Sequence, residues 1–113
     1  MSEQTLARED TLSTTGGSRT FAGQFVVKWT PSESTAELVV EITAAGTLLD
    51  QRTFTPGNAS HHMQGNDGSY GVEGQLIAAF NSPPTSGTLL STSLVFTSPD
   101  GEHPKFSGTI GTW

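Results

Sequence analysis

The sequence predicts an all-β chain, an antiparallel β-sandwich of six to seven strands with a flattened barrel as the alternative, and three observations predict it. The polar surface is built from hydroxyls, since Ser and Thr supply 30 residues and Gly 13 while Lys, Arg, Asp and Glu make up only 14%. Thr suits a pleated surface and Gly supplies turns, whereas both are poor in helix interiors. Apolar residues recur with period two in successive segments, and no segment carries a helical period. Those segments are separated by Thr30-Pro31-Ser32, Pro56-Gly57, Asn81-Ser82-Pro83-Pro84 and Ser98-Pro99-Asp100-Gly101, clusters that end strands and make turns.

A chain of 113 residues is the size of one domain, and its 24 Leu, Ile, Val and Phe residues supply one thin core. Residues 1–19 hold only Leu6 and Leu12 as large apolar groups and end on Gly16-Gly17, which predicts a frayed arm or a weak edge strand ahead of a single domain over 20–113. Within 20–29, Phe21, Gly23, Phe25, Val27 and Trp29 share one face. Within 36–43, Leu38, Val40 and Ile42 alternate with Glu37, Val39, Glu41 and Thr43. Ala44-Ala45-Gly46 then suits a three-residue hairpin loop with Gly46 left-handed. The strand over 47–55 has an open register, because Leu48 and Leu49 are adjacent and either could face the core.

Residues 56–69 carry one large apolar side chain, Met63. They read as a fourteen-residue connection, long for a compact domain and so a place to look for function. Further strands are predicted over 70–80, 88–97 and 104–113, with Phe25, Leu38, Val40, Leu76, Leu94, Phe96 and Phe106 in the core. Residues 21–29 set over 72–80 align Gly23-Gln24 with Gly74-Gln75. That match predicts an internal duplication with halves over about 20–55 and 71–113, packed face to face with Gly23 and Gly74 in equivalent places.

A net charge of −6 with no cluster of Lys or Arg argues against nucleic acid and anionic membrane as partners. The absence of cysteine excludes disulfides and thiolate chemistry. Residues 1–10 lack the order of a secretory signal, and no apolar run approaches a membrane span, so a cytoplasmic location is expected.

With strand direction alternating along six strands, connections 30–35, 56–69 and 98–103 fall at one end. They gather Glu33, His61, His62, Asn66, Asp67, Asp100, Glu102 and His103 there. Amides, carboxylates and hydroxyls on loops beside an aromatic ring are what a polyhydroxylated ligand needs. Asn66, Asp67, Tyr70 and Asp100 are therefore the candidate ligand contacts, with Trp29 near the same end. His61, His62 and His103 are weak metal candidates, since adjacent histidines on an extended backbone point to opposite sides and no second histidine lies at ligand spacing; no metal and no cofactor is expected.

Catalysis is not expected either. Glu37 and Glu41 stand roughly 13 Å apart at about 3.3 Å per residue, beyond the reach of glycosidase carboxylate pairs, and no Gly-x-Ser-x-Gly elbow occurs. The expected function is a non-enzymatic, lectin-like module binding a glycan through the loop-rich end. The alternative is a structural or assembly protein acting through sheet-mediated homo-oligomerisation, and a homo-oligomer is expected in either case, because it would bury the second faces on which Val26, Val39, Ile77 and Val95 lie.

Overall fold

The computed structural model describes residues 16–32, 36–82 and 84–113. Eight strands follow in order: β1 (Gly17–Phe21), β2 (Phe25–Pro31), β3 (Leu38–Ala44), β4 (Thr47–Phe54), β5 (Ser60–Asn66), β6 (Gly71–Phe80), β7 (Gly87–Thr97) and β8 (Lys105–Thr112). They form two antiparallel meanders, β1-β2-β3-β4 and β5-β6-β7-β8. The all-β sandwich of the sequence is therefore present, with eight strands rather than six to seven. Two strands account for the difference. β1, at the edge of its sheet, takes in Gly17, Ser18 and Arg19 from the stretch expected as a frayed arm or weak edge strand, and β5 lies inside the expected fourteen-residue connection. Residues 1–15, and Glu33 with its neighbours, lie outside the described residues.

Period two produces the core directly. Phe25, Val27 and Trp29 of β2 and Leu38, Val40, Ile42 and Ala44 of β3 face inward, against Val72, Leu76 and Ala78 of β6 and Leu89, Leu94 and Phe96 of β7. Six of the seven expected core residues are buried; Phe106 is only half-buried. It sits on the last strand of its sheet, where its ring packs against Phe21 at 4.8 Å between centroids and has no further strand to cover it.

The hairpin between β3 and β4 has two residues, not three. Ala44 pairs with Thr47, and Ala45 and Gly46 both take positive φ, 49° and 86°, the primed turn whose twist matches the flanking strands. A bulge then settles the leucine register: Thr43 pairs with Leu48 and Ile42 with Asp50, so Leu49 has no partner. Leu49 turns partly onto the core while Leu48 stays 50% exposed.

Gly23 and Gly74 are not equivalent, contrary to the duplication expectation. Gly23 lies in the β1–β2 turn with φ 79°, whereas Gly74 lies in the middle of β6, paired with Met63 and Leu94. The aligned blocks do match the second strand of each meander, but β6 has ten residues and β2 seven. The Gly-Gln pair consequently falls before one strand and inside the other.

The two sheets meet along two seams, β4 beside β5 and β1 beside β8, and neither seam is a hydrogen-bonded ladder. At the first, the Asp50 carboxylate accepts the Gln64 N–H of β5 at 2.9 Å and the Gln51 N–H at 2.8 Å. At the second, the Arg19 guanidinium donates to the Thr109 carbonyl at 2.9 Å, and from the neighbouring β2 the Trp29 indole N–H donates to the Thr112 carbonyl of β8 at 3.0 Å. Backbone groups at the edges thus find partners across the gap, which blunts edges that would otherwise template pairing with other chains. Among the described residues no helix is long and apolar enough to cross a membrane.

Candidate functional site

The extra strand β5 redistributes the connections. The β5–β6 turn with Asp67 and the β7–β8 loop with Asp100 lie at the end where Phe25 meets Tyr70 and Phe21 meets Phe96. The β2–β3 and β4–β5 connections lie at the opposite end, beside Trp29 and the C-terminus. The loop cluster expected over 30–35, 56–69 and 98–103 is therefore divided between two ends, because one unrecognised strand reverses the parity of everything before it.

Each of the expected ligand contacts has structural work at its own turn. Asp67 Oδ1 accepts the N–H groups of Ser69 at 2.9 Å and Tyr70 at 2.7 Å. Those two bonds hold the Asp67 carboxyl below its ordinary value of 3.8. Asn66 Oδ1 accepts the Gly68 N–H at 2.7 Å, and Asp100 Oδ1 accepts the Glu102 N–H at 3.1 Å. Tyr70 is half-buried, edge-on to Phe25 with centroids 5.6 Å apart. Trp29 is 1% exposed and offers no aromatic platform.

The histidines do not converge. His61 turns inward against Phe54, centroids 4.6 Å apart at 88°, with its Nε2 buried and unpartnered. His62 turns outward and meets Glu73 Oε2 at 3.3 Å, and His103 Nδ1 lies 3.3 Å from Thr97 Oγ1. Among the described residues no three His, Asp or Glu side chains are grouped to hold a metal ion.

What the fold does assemble is a trough of about 690 Å³ on the outer face of β5, β6 and β7. Inward residues Met63, Val72, Leu76, Leu94 and Phe96 anchor these strands in the core, so alternation turns His62, Gln64, Glu73, Gln75, Ser93 and Thr97 outward to line it. Register sets them in rows. His62 pairs with Gln75 and Gln75 with Ser93; Gln64 pairs with Glu73 and Glu73 with Val95; Asn66 pairs with Gly71 and Gly71 with Thr97. Directly opposed side chains stand about 5 Å apart, so each row sets its groups side by side.

Two bulges shape the surface, one between Gln75 and Leu76 against β7 and one between Ser91 and Leu94 against β8. A bulge bends its strand and raises local twist, which makes this face a trough instead of a plane. Gly71 leaves room for the Asn66 side chain at one end: a Cβ there would come within 2.8 Å of the Asn66 side-chain nitrogen. Of the four expected contacts Asn66 alone lines the trough.

Glu73, Gln75 and Ser93 are legible in the sequence as outward positions. His62 and Gln64 are not, because 60–66 reads as loop. The available signal is the alternation of small or amphipathic inward residues, His61, Met63 and Gly65, with polar His62 and Gln64. No protein-family model, curated protein or solved structure matches the chain.

Proposed function

We propose that the chain is a non-enzymatic carbohydrate-binding module, lectin-like, that takes its ligand in the trough on β5, β6 and β7. The observation that supports this reading is the trough itself: about 690 Å³, within the range of roughly 300–1,000 Å³ typical of ligand sites, with hydrogen-bonding side chains on three adjacent strands. The Gln64 amide brings donors and an acceptor, Gln75 brings its carbonyl oxygen while its nitrogen donates to Ser60 Oγ, Asn66 brings its amide nitrogen while its oxygen accepts from Gly68, Glu73 brings a strong acceptor, and Ser93 and Thr97 bring hydroxyls. Sugar hydroxyls donate and accept in the same way. Placement on paired strands holds these groups more rigidly than a loop would, and so lowers the entropy cost of binding.

Assembly through a sheet face has less to support it. Val26, Val39, Ile77 and Val95 are each half-buried within one chain, and Leu48 is the exposed large apolar residue among the described ones.

A glycan array followed by calorimetry on the best binder tests the proposal, using Gln64→Ala and Glu73→Ala. Both positions are exposed, so stability is expected to change by about 0.5 kcal/mol or less. Affinity is expected to fall at least severalfold in each, since a hydrogen bond to a charged group is worth roughly 1.5–3 kcal/mol and a neutral one about 1. Retention of no glycan, or unchanged affinity in both variants, would overturn the proposal.

A further inference from the structure

We infer that the saccharide taken by the trough carries no anionic group: it is a neutral or amine-bearing oligosaccharide, and acidic sugars are rejected. The inference rests on the carbohydrate reading and narrows it. Among the described residues neither Lys nor Arg lines the trough, and Glu73 is its carboxylate. The His62 imidazole is committed to Glu73 Oε2 at 3.3 Å, while Glu73 Oε1 has no partner among the described residues. A free carboxylate oxygen accepts from sugar hydroxyls or from an amine, and repels a uronate, sialate or sulfate brought to the same place.

Lys105 is the nearest lysine: it pairs with Val95 from β8 and borders a smaller hollow, with Phe106 and Ser107, that meets the trough at Ser93, but it does not itself line the trough, where Glu73 is the charged group. The chain's net charge of −6 adds long-range repulsion of anions.

Shape narrows the class further. From Gly71 to Gln75 the trough runs roughly 13 Å along β6 at about 3.3 Å per residue, longer than a single sugar ring. Among the described residues no Phe, Tyr or Trp lines it and the His62 ring is engaged by Glu73, so stacking on a large aromatic ring does not carry recognition, and the ligand is held through hydroxyl or amino groups along its edge.

The test uses three oligosaccharides with one core: unmodified, amino-substituted, and carboxylated or sulfated. Each is titrated against the wild-type chain and Glu73→Gln, with thermal unfolding recorded for both proteins. The wild type is expected to bind the unmodified and amino forms at least about tenfold more tightly than the acidic form, and Glu73→Gln to narrow that gap to about threefold or less. Equal or tighter binding of the acidic form, or a gap that Glu73→Gln leaves intact, would overturn the inference while leaving the carbohydrate reading standing. Binding of none of the three would remove both.

Discussion

Asp67 shows how a residue well suited to a ligand can be occupied by its own backbone. Its position after Asn66 and before Gly68 is legible in the sequence as a turn, and the turn is what forms: Asn66 Oδ1 accepts from Gly68, and Asp67 Oδ1 from Ser69 and Tyr70. Polar residue type identifies a group able to bind, but only hydrogen-bond bookkeeping shows whether it is free to do so. The bonds from Tyr70 and Ser69, in that order, lower the Asp67 pKa from its ordinary 3.8. A group whose folded value is depressed contributes stability that is full above the unfolded value and is lost as pH falls through the folded one. Asp67→Asn is therefore expected to be less stable than wild type at neutral pH, with the difference closing in acid below the carboxylate range. Denaturant midpoints of both proteins from pH 7 down to pH 2 check this; a difference that stays constant across that range would show that the charge of Asp67 has no part in the turn.

At the scale of elements, the strongly periodic strands were legible and the weakly apolar one was not. β2 and β3 carry apolar inward side chains at every second position, and β6 and β7 bury Val72, Leu76, Leu89, Leu94 and Phe96, whereas β5 offers His61, Met63 and Gly65. The glycine is there because the seam demands it: a Cβ on Gly65 would lie 2.0 Å from the Leu49 carbonyl oxygen and 2.6 Å from its carbon. Nothing at that contact is a flexible side-chain end, so Gly65→Ala must push β4 and β5 apart, at a cost of about 1–3 kcal/mol or more. Gly57, in the adjoining turn, has nothing within 4 Å of its would-be Cβ. Gly57→Ala is expected to be neutral or to stabilise by up to about 1 kcal/mol, and equal losses in the two variants would refute the close-approach account. A second prediction concerns Ala45, which holds φ 49° without being glycine. Asn tolerates that region better and Asn-Gly is the favoured pair for this turn, so Ala45→Asn should raise the thermal midpoint, by a stability gain of order 0.5–1 kcal/mol. Missing β5 also hid the trough, whose outward row on β6 acquires neighbours His62 and Gln64 only when β5 is laid beside it.

Over the whole molecule, the question is how two open meanders stay together without a closed ladder, and the β1–β8 seam is where the answer can be tested. Burial of a shared core supplies most of the cohesion, but a sandwich edge still exposes backbone groups and the rims of core rings to water. Arg19 meets both needs. It pairs across from inward-facing Val27, so its side chain runs along the interior edge toward β8. There its guanidinium lies 5.1 Å from the Phe21 ring centroid and 4.8 Å from that of Phe106, and donates to the Thr109 carbonyl at 2.9 Å. The buried Nε without a partner is the unfavourable part of the arrangement. Each cation–π contact is worth about 0.5–1 kcal/mol near a surface, and the hydrogen bond about 1 kcal/mol. Arg19→Ala is therefore expected to lose about 2 kcal/mol of stability, within the range of ordinary destabilising substitutions. Lysine cannot lie flat between two rings while donating through a planar fork, so Arg19→Lys should recover less than half of that loss. Because the contact holds one edge and not the centre of the core, the loss should be local: amide exchange of β8, and of β1 opposite it, should accelerate more than that of β3 and β6. Uniform acceleration across all eight strands would mean that Arg19 acts only on global stability, and full recovery by lysine would mean that charge alone, without the planar stack, closes the seam.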